Sequence, residues 1–234
     1  MIKIYELVNK QGGISLSPFV MTAELFLKHK GLEFESIPLT FVEIGPTIKE
    51  ATGGKWDKVP TVVFPNGDIV FDSLEIGKYL DEKYPENSLN PSNSDLDNLI
   101  EDYNTRIAFN AFRNAIPDLL PLLDAKSQKY FRESREKMLN MTLEEFAGDR
   151  EANTQQYHSD VKKIDELLSA SKFLNGYKPL IHDYILAARI QFFKTISPRT
   201  YEDLIINGPN ENLKRWIKDM DKELNGYLGK RPTL

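Results

Sequence analysis

No cysteine occurs among the 234 residues. That excludes disulfide staples, a cysteine-based zinc site and any mechanism in which a protein thiol is the nucleophile. Histidine is nearly as scarce. His29, His158 and His182 are scattered without metal-ligand spacing, so no metal is expected. No apolar run approaches the roughly 20 residues that a membrane-crossing helix needs. The opening MIKIYELV lacks the long apolar core and small-residue cleavage site of a signal peptide. The expectation is therefore a cytoplasmic protein with no membrane partner. An excess of basic residues is missing too: 30 Lys and Arg stand against 35 Asp and Glu, for a net charge of −5. Such a chain has no electrostatic reason to seek nucleic acid. GGKW lacks the spacing of a phosphate-binding loop, and runs such as RESREK read as solvated helix faces.

What is present is an ordinary globular balance, 41% hydrophobic and 28% charged, in a chain long enough for one large domain or two modest ones. The first 85 residues alternate. IKIYELV reads as a strand, and a glycine-containing loop follows. From Pro18 to Lys30 the apolar residues fall at helical spacing, and Gly31 suits the end of that helix. FESIPL reads as a second strand, EIGPTIKEATGGKWDK as a loop with at most a short helix. TVVF and DIVF flank PNG, whose Asn66-Gly67 pair favours a tight hairpin. SLEIGKYLDEKY is again helical. A parallel pair followed by a hairpin gives a small mixed sheet with helices on its faces.

Composition then shifts. PENSLNPSNSD is a linker-like stretch, and beyond it the pattern is helical, with helices expected near 95–116, 118–140, 154–170, 182–195 and 211–225. Breaks are expected at Pro117, AGDREAN, NGYKP, SPRTYED and NGPN. The organisation is an α/β domain over 1–85, a linker over 86–94 and an all-α domain over 95–234.

Three stretches of the first domain carry candidate chemistry, each beside a plainer explanation. In SLSPFV, Ser17 and Pro18 make a good helix start, serine as N-cap and proline at the first helical position. The same helix end offers unpaired N–H groups and partial positive charge to an anion. In KVPTVVF, Pro60 belongs at a strand start; a cis Val59–Pro60 bond would instead leave the Val59 N–H and C=O free for an extended ligand. In FDSLEIGKYL, Asp72 and Ser73 are favoured caps. They also fit a group carrying both charges, Ser73 and the helix end taking a carboxylate and Asp72 an ammonium, as in an α-amino acid.

In this order the three stretches resemble the glutathione transferases. SPF opens the first helix, VPT precedes the third strand and DS opens the third helix. IGKYLDEKYP and its linker, and FLNGYKPLIHDYILAARIQFF in the second domain, are similar to the same family. SLSPFV and the DS form look closest to its fungal class related to bacterial lignin β-etherases. The resemblance covers nearly the whole chain and implies a thioredoxin-like first domain, a helical second domain and a homodimer. It implies that Ser17 stands where serine-type members carry the catalytic serine; Ser15 does not match that position, but lies close enough in sequence to be an auxiliary donor. Val59 and Pro60 would form the backbone clamp. Asp72 and Ser73 would hold the γ-glutamyl end of glutathione, and Lys55 or Lys58 its glycine carboxylate. The second substrate would meet Phe19, Tyr103, Phe109 and Phe112, which suits a small apolar or aromatic electrophile. Phe109 and Phe112, three apart, share a helix face, although core packing is the plainer account of such aromatics.

Two further expectations follow. Without cysteine the chain cannot form the mixed disulfide of thioltransferase chemistry, so conjugation (a detoxification step) or thiolytic ether cleavage is expected. At His182-Asp183, the aspartate is read as a helix cap; Leu180 stands where the family has Ser or Thr, leaving the reciprocal capping box incomplete. The competing reading is a non-catalytic ligand-binding or interaction protein on the same fold.

Overall fold

The computed structural model describes residues 1–89 and 93–234. Residues 90–92 of the expected linker lie outside the described residues. Two compact units emerge from packing: Met1–Asn90 with Leu123–Phe131, and Pro91–Leu122 with Arg132–Leu234.

In the first unit, β1 (Ile2–Leu7) is a central strand whose alternation buries Ile2 and Ile4 and exposes Lys3. It pairs in parallel with β2 (Phe34–Leu39) and antiparallel with β3 (Thr61–Val63), which pairs antiparallel with β4 (Ile69–Phe71). The order is β2-β1-β3-β4, the mixed sheet that the sequence pattern requires. The β3–β4 turn uses Gly67 at φ 91°.

Helix α1 (Pro18–His29) is buried along most of its length. It ends as Gly31 adopts φ 68°, with the Gly31 N–H on the Lys28 carbonyl and the Leu32 N–H on the Leu27 carbonyl, a Schellman stop. Helix α3 (Ser73–Lys83) lies against α1, and Gly77 permits the approach: a Cβ there would stand 3.1 Å from the Phe26 ring. The thioredoxin-like α/β arrangement is complete with α2 (Phe41–Ala51). This helix corrects the loop expected there. Its start is tied down by Glu43, whose carboxylate accepts from both the main-chain N–H (2.8 Å) and the hydroxyl (2.7 Å) of Thr40. That local bonding offsets the main-chain donor missing at Pro46 inside the helix.

The remaining elements are helical. They are α4 (Ser94–Asp102), α5 (Ala108–Leu119), α6 (Ala125–Leu139), α7 (Leu143–Ala147), α8 (Arg150–Asp160), α9 (Lys162–Ala170), α10 (Ile181–Ile196), α11 (Pro198–Tyr201) and α12 (Glu211–Glu223). A π-helical turn over Tyr103–Ile107 joins α4 to α5, and another over Glu202–Ile206 follows α11. Several expected boundaries move. Pro117 lies inside α5, and the chain only tightens after it, at Leu120–Leu122. The helix expected over 154–170 is two helices meeting at Val161. The break at SPRTYED narrows to Ser197, which ends α10 and whose side chain caps α11 by accepting from the Thr200 N–H (3.1 Å).

Helix α10 is the buried centre of the second unit, with the fully buried Trp216 of α12 near its start. Asp183 organises that start. Its carboxylate accepts from the N–H groups of Leu174 (2.9 Å) and Leu180 (3.2 Å), from Asn175 Nδ2 (3.2 Å) and from Trp216 Nε1 (2.8 Å). Leu180 supplies no acceptor, so only the Asp183 half of the reciprocal box exists, and the other three donors stabilise the junction. Among the described residues, no helix is long and apolar enough to cross a membrane.

Candidate functional site

The first candidate position is the entry to α1. The chain leaves β1 through a short turn and then runs back beside the strand end, Ser15 bridging Val8 and the Leu16 N–H donating to the Leu7 carbonyl (2.7 Å). Leu16 points into the core at 2% exposure. Ser17 is extended (φ −76°, ψ 120°) and caps α1: its Oγ accepts from the Val20 N–H at 3.3 Å. The cap uses a lone pair of the hydroxyl and leaves its O–H able to donate. Cap and anion donor are thus compatible roles. No acidic residue stands in the first turn of α1, so no side-chain carboxylate competes for its positive end. The Ser15 hydroxyl is buried and without a hydrogen-bond partner among the described residues, a state that costs free energy unless something else satisfies it.

The second position is the loop before β3. The Val59–Pro60 peptide is cis. Pro60 is buried and Val59 half-buried. Lys55 and Lys58 are both exposed. Lys58 is held over the Trp56 ring (5.5 Å), and Trp56 stacks on Phe71 of β4 (5.1 Å, 14°).

The third is the entry to α3. Asp72 adopts φ 71° and ψ 133°, a left-handed backbone that an aspartate holds at a cost of about 1–3 kcal/mol. Its Oδ1 accepts from the Leu74 N–H (2.9 Å), which caps the helix. Ser73, at 5% exposure, begins the helix beside it.

The aromatic candidates divide. Phe19 is half exposed, at 50%. Phe109 is 39% exposed and lies against Phe146 (5.3 Å between centroids), while Phe112 lies against Phe192 (5.6 Å). Spacing puts the two phenylalanines on one face, but they meet different neighbours. Tyr103 is fully buried, its hydroxyl 3.0 Å from that of Tyr157, and burial pushes its ionisation up. It is built as a core residue.

Other groups here carry no visible sequence signal. Gln11 donates to both oxygens of Glu43 (3.0 and 2.8 Å), tying the β1–α1 turn to α2, and the Thr40 N–H and hydroxyl hold the Glu43 carboxyl below its ordinary value. Asn9, buried, holds the same turn from within. Side-chain bonds between residues 32 apart leave no periodicity to find. Among the described residues no group of three or more His, Asp and Glu is placed to hold a metal ion.

The chain is similar to solved glutathione transferases over almost its whole length. One from Phanerochaete chrysosporium, GSTFuA2, superposes with a TM-score of 0.81 at 21% identity, covering 94% of this chain and 97% of its own. A glutathione S-transferase of Ceriporiopsis subvermispora, solved in complex with glutathione, gives 0.76 at 20% identity, covering 97% and 99%. Transferase F2 from Populus trichocarpa gives 0.63 at 17%, covering 98% and 99%. At these identities the likeness speaks for the fold. Family models go further: that of the glutathione S-transferase N-terminal domain matches residues 16–83, and that of the C-terminal domain matches 97–222. With more than half the chain matched, and with the helix starts and strand entry inside the N-terminal match, the protein belongs to the glutathione S-transferase family.

Proposed function

We propose that this protein activates the thiol of glutathione through Ser17 and delivers the thiolate to a small apolar or aromatic electrophile. The observation that carries the reading is the Ser17 cap, whose hydroxyl proton is uncommitted at a helix end with no acidic residue in its first turn. A free thiol has a pKa of about 8.5, so only a few per cent is thiolate at pH 7. Lowering it by about two units takes roughly 2.7 kcal/mol of preferential anion stabilisation. A charge-assisted hydrogen bond supplies about 1.5–3 kcal/mol and a helix end about 0.3–1 kcal/mol, which together suffice.

Asp72 and Ser73 are the proposed partners of the γ-glutamyl ammonium and carboxylate, the Val59 main chain the clamp before Pro60, and Lys55 or Lys58 the partner of the glycine carboxylate. Ser15 is the auxiliary donor. For the electrophile, Phe19 and Phe109 are the proposed contacts whose rings are exposed, whereas Tyr103 is buried; Phe112, beside Phe192, is a further proposed contact. The thiol proton leaves to water. The sulfur then forms a bond to carbon, and the leaving group departs with its electron pair, a halide in conjugation or an aryloxide in ether cleavage. No protein thiol takes part, since none exists.

The test is Ser17→Ala, assayed with glutathione and aryl electrophiles or aromatic ethers. Turnover should fall roughly 100-fold with little change in glutathione affinity, the loss of one transition-state donor. Unchanged turnover removes Ser17 from the mechanism and brings Ser15 forward. A wild-type protein that displaces a dye ligand but turns over no electrophile is a carrier. The working form is taken to be a homodimer, which sedimentation at micromolar concentration checks.

A further inference from the structure

The turn between β1 and α1 is closed twice by one residue pair. The Asn9 N–H donates to the Ile14 carbonyl (3.2 Å), and Asn9 Oδ1 accepts from the Ile14 N–H (2.9 Å). Inside this clasp the Gly13 N–H donates to the Lys10 carbonyl (2.8 Å). Gly13 has no room for a side chain: a Cβ would stand 2.0 Å from Asn9 Oδ1 and 2.8 Å from the Lys10 carbonyl oxygen. Any other residue at 13 must therefore push the Asn9 amide aside and release the Ile14 N–H. Asn9 itself cannot simply retreat. It is 2% exposed, and its carbonyl accepts from the Asp124 N–H (3.2 Å).

Ser15 and Ser17 follow the clasp at once. Leu16 enters the core with a serine on either side of it, Ser15 bridged to Val8 and Ser17 extended at the helix cap. The placement of both hydroxyls is thus fixed from one end by the α1 cap and from the other by the clasp.

We propose that Asn9 and Gly13 are positioning residues for thiol activation: the clasp sets where the Ser15 and Ser17 hydroxyls stand, and so how far a bound thiol is acidified. This rests on the reading of Ser17 as the thiolate's donor. A hydrogen bond favours an anion only when donor and anion are held to a fraction of an ångström, and a misplacement of about 1 Å is enough to cost 100-fold in rate.

The experiment is an ultraviolet titration of the thiolate of glutathione bound to wild type and to four variants, Gly13→Ala, Asn9→Ala, the double variant and Gln11→Ala. Binding and thermal unfolding are measured alongside. In wild type the bound thiol should titrate well below its free value. Gly13→Ala and Asn9→Ala should each return it toward that value by about one unit or more, a tenfold change in the thiolate-to-thiol ratio. Glutathione affinity should move less than about threefold. The double variant should be no worse than either single one, because both act through the same amide. Gln11→Ala, on the same turn but outside the clasp, should leave the titration unchanged. Should Gly13→Ala fail to fold, Asn9→Ala adds no bulk and carries the test.

A Gly13→Ala protein that melts earlier yet titrates like wild type makes the clasp a mere turn and overturns the proposal. Additive losses in the double variant, or an equal shift in Gln11→Ala, overturn it as well. A wild type whose bound thiol titrates at the free value overturns the reading of Ser17 itself, which separates the two failures.

Discussion

Asp72 and Asp183 both stand at helix starts, and their surroundings are opposite. Asp183 is wholly buried, and both its oxygens are taken by donors from four residues. Asp72 is half-buried, turns Oδ1 to its own helix and sits on left-handed backbone. A saturated carboxylate has no acceptor to offer a ligand, so Asp183 is architecture. Asp72 keeps its second oxygen without a hydrogen-bond partner among the described residues, on a backbone that costs stability to hold. Strain tolerated beside unused polar capacity supports the ligand role proposed for Asp72, whereas full satisfaction is the pattern of a core.

The sharpest way to break this contrast is Asp183→Ala. It orphans buried donors of Leu174, Leu180, Asn175 and Trp216, and should cost about 4 kcal/mol in urea unfolding. A pH series with Asp183→Asn refines it. Burial holds the Asp183 carboxyl above its ordinary range despite its four donors. A folded value above the unfolded one means that this contribution to stability is fully present below the unfolded value and lost as pH rises through the folded one. The deficit of Asp183→Asn against wild type should therefore be largest in acid and shrink toward neutral pH.

Next in size, Asp72→Gly should relieve the backbone while removing the cap, leaving stability within about 1 kcal/mol of wild type. Calorimetry should show glutathione affinity falling at least about tenfold, the loss of one charged contact. A large stability loss with unchanged affinity would turn Asp72 into a second Asp183. The smallest effect is expected from Ser73→Ala, roughly fivefold in affinity with stability within about 0.5 kcal/mol.

The order of strands and helices in the first unit was legible because each junction has its own chemistry, Ser17-Pro18, Gly31, Asn66-Gly67 and Asp72-Ser73. Helix α2 was not. Pro46 reads as a breaker, and the compensating Thr40–Glu43 bonds exist only once the helix has formed. Pro117 misled in the same way. The positions of Ser17, Asp72 and Ser73 at helix entries were legible from capping preferences alone. The roles of Asn9 and Gly13 were not, because a missing Cβ matters only when something occupies the space it would take, and sequence does not show that neighbour. The surroundings of Tyr103 were illegible for a related reason: an aromatic on a helix reads alike whether it faces a ligand or Tyr157.

The π-helical turn at Tyr103–Ile107 has a consequence for how this protein can change over time. Such a turn holds one residue more than an α-helix needs. Deleting one residue there would restore regular helix and leave the later side chains of α5 in nearly the same phase, because the wide turn absorbs its extra residue locally. Phe109 would stay at the surface where it now stands beside Phe146. The exposed aromatic face of α5 is therefore buffered against a single-codon deletion inside the turn, whereas the same deletion at Ala108, in regular helix, would swing it by about 100°.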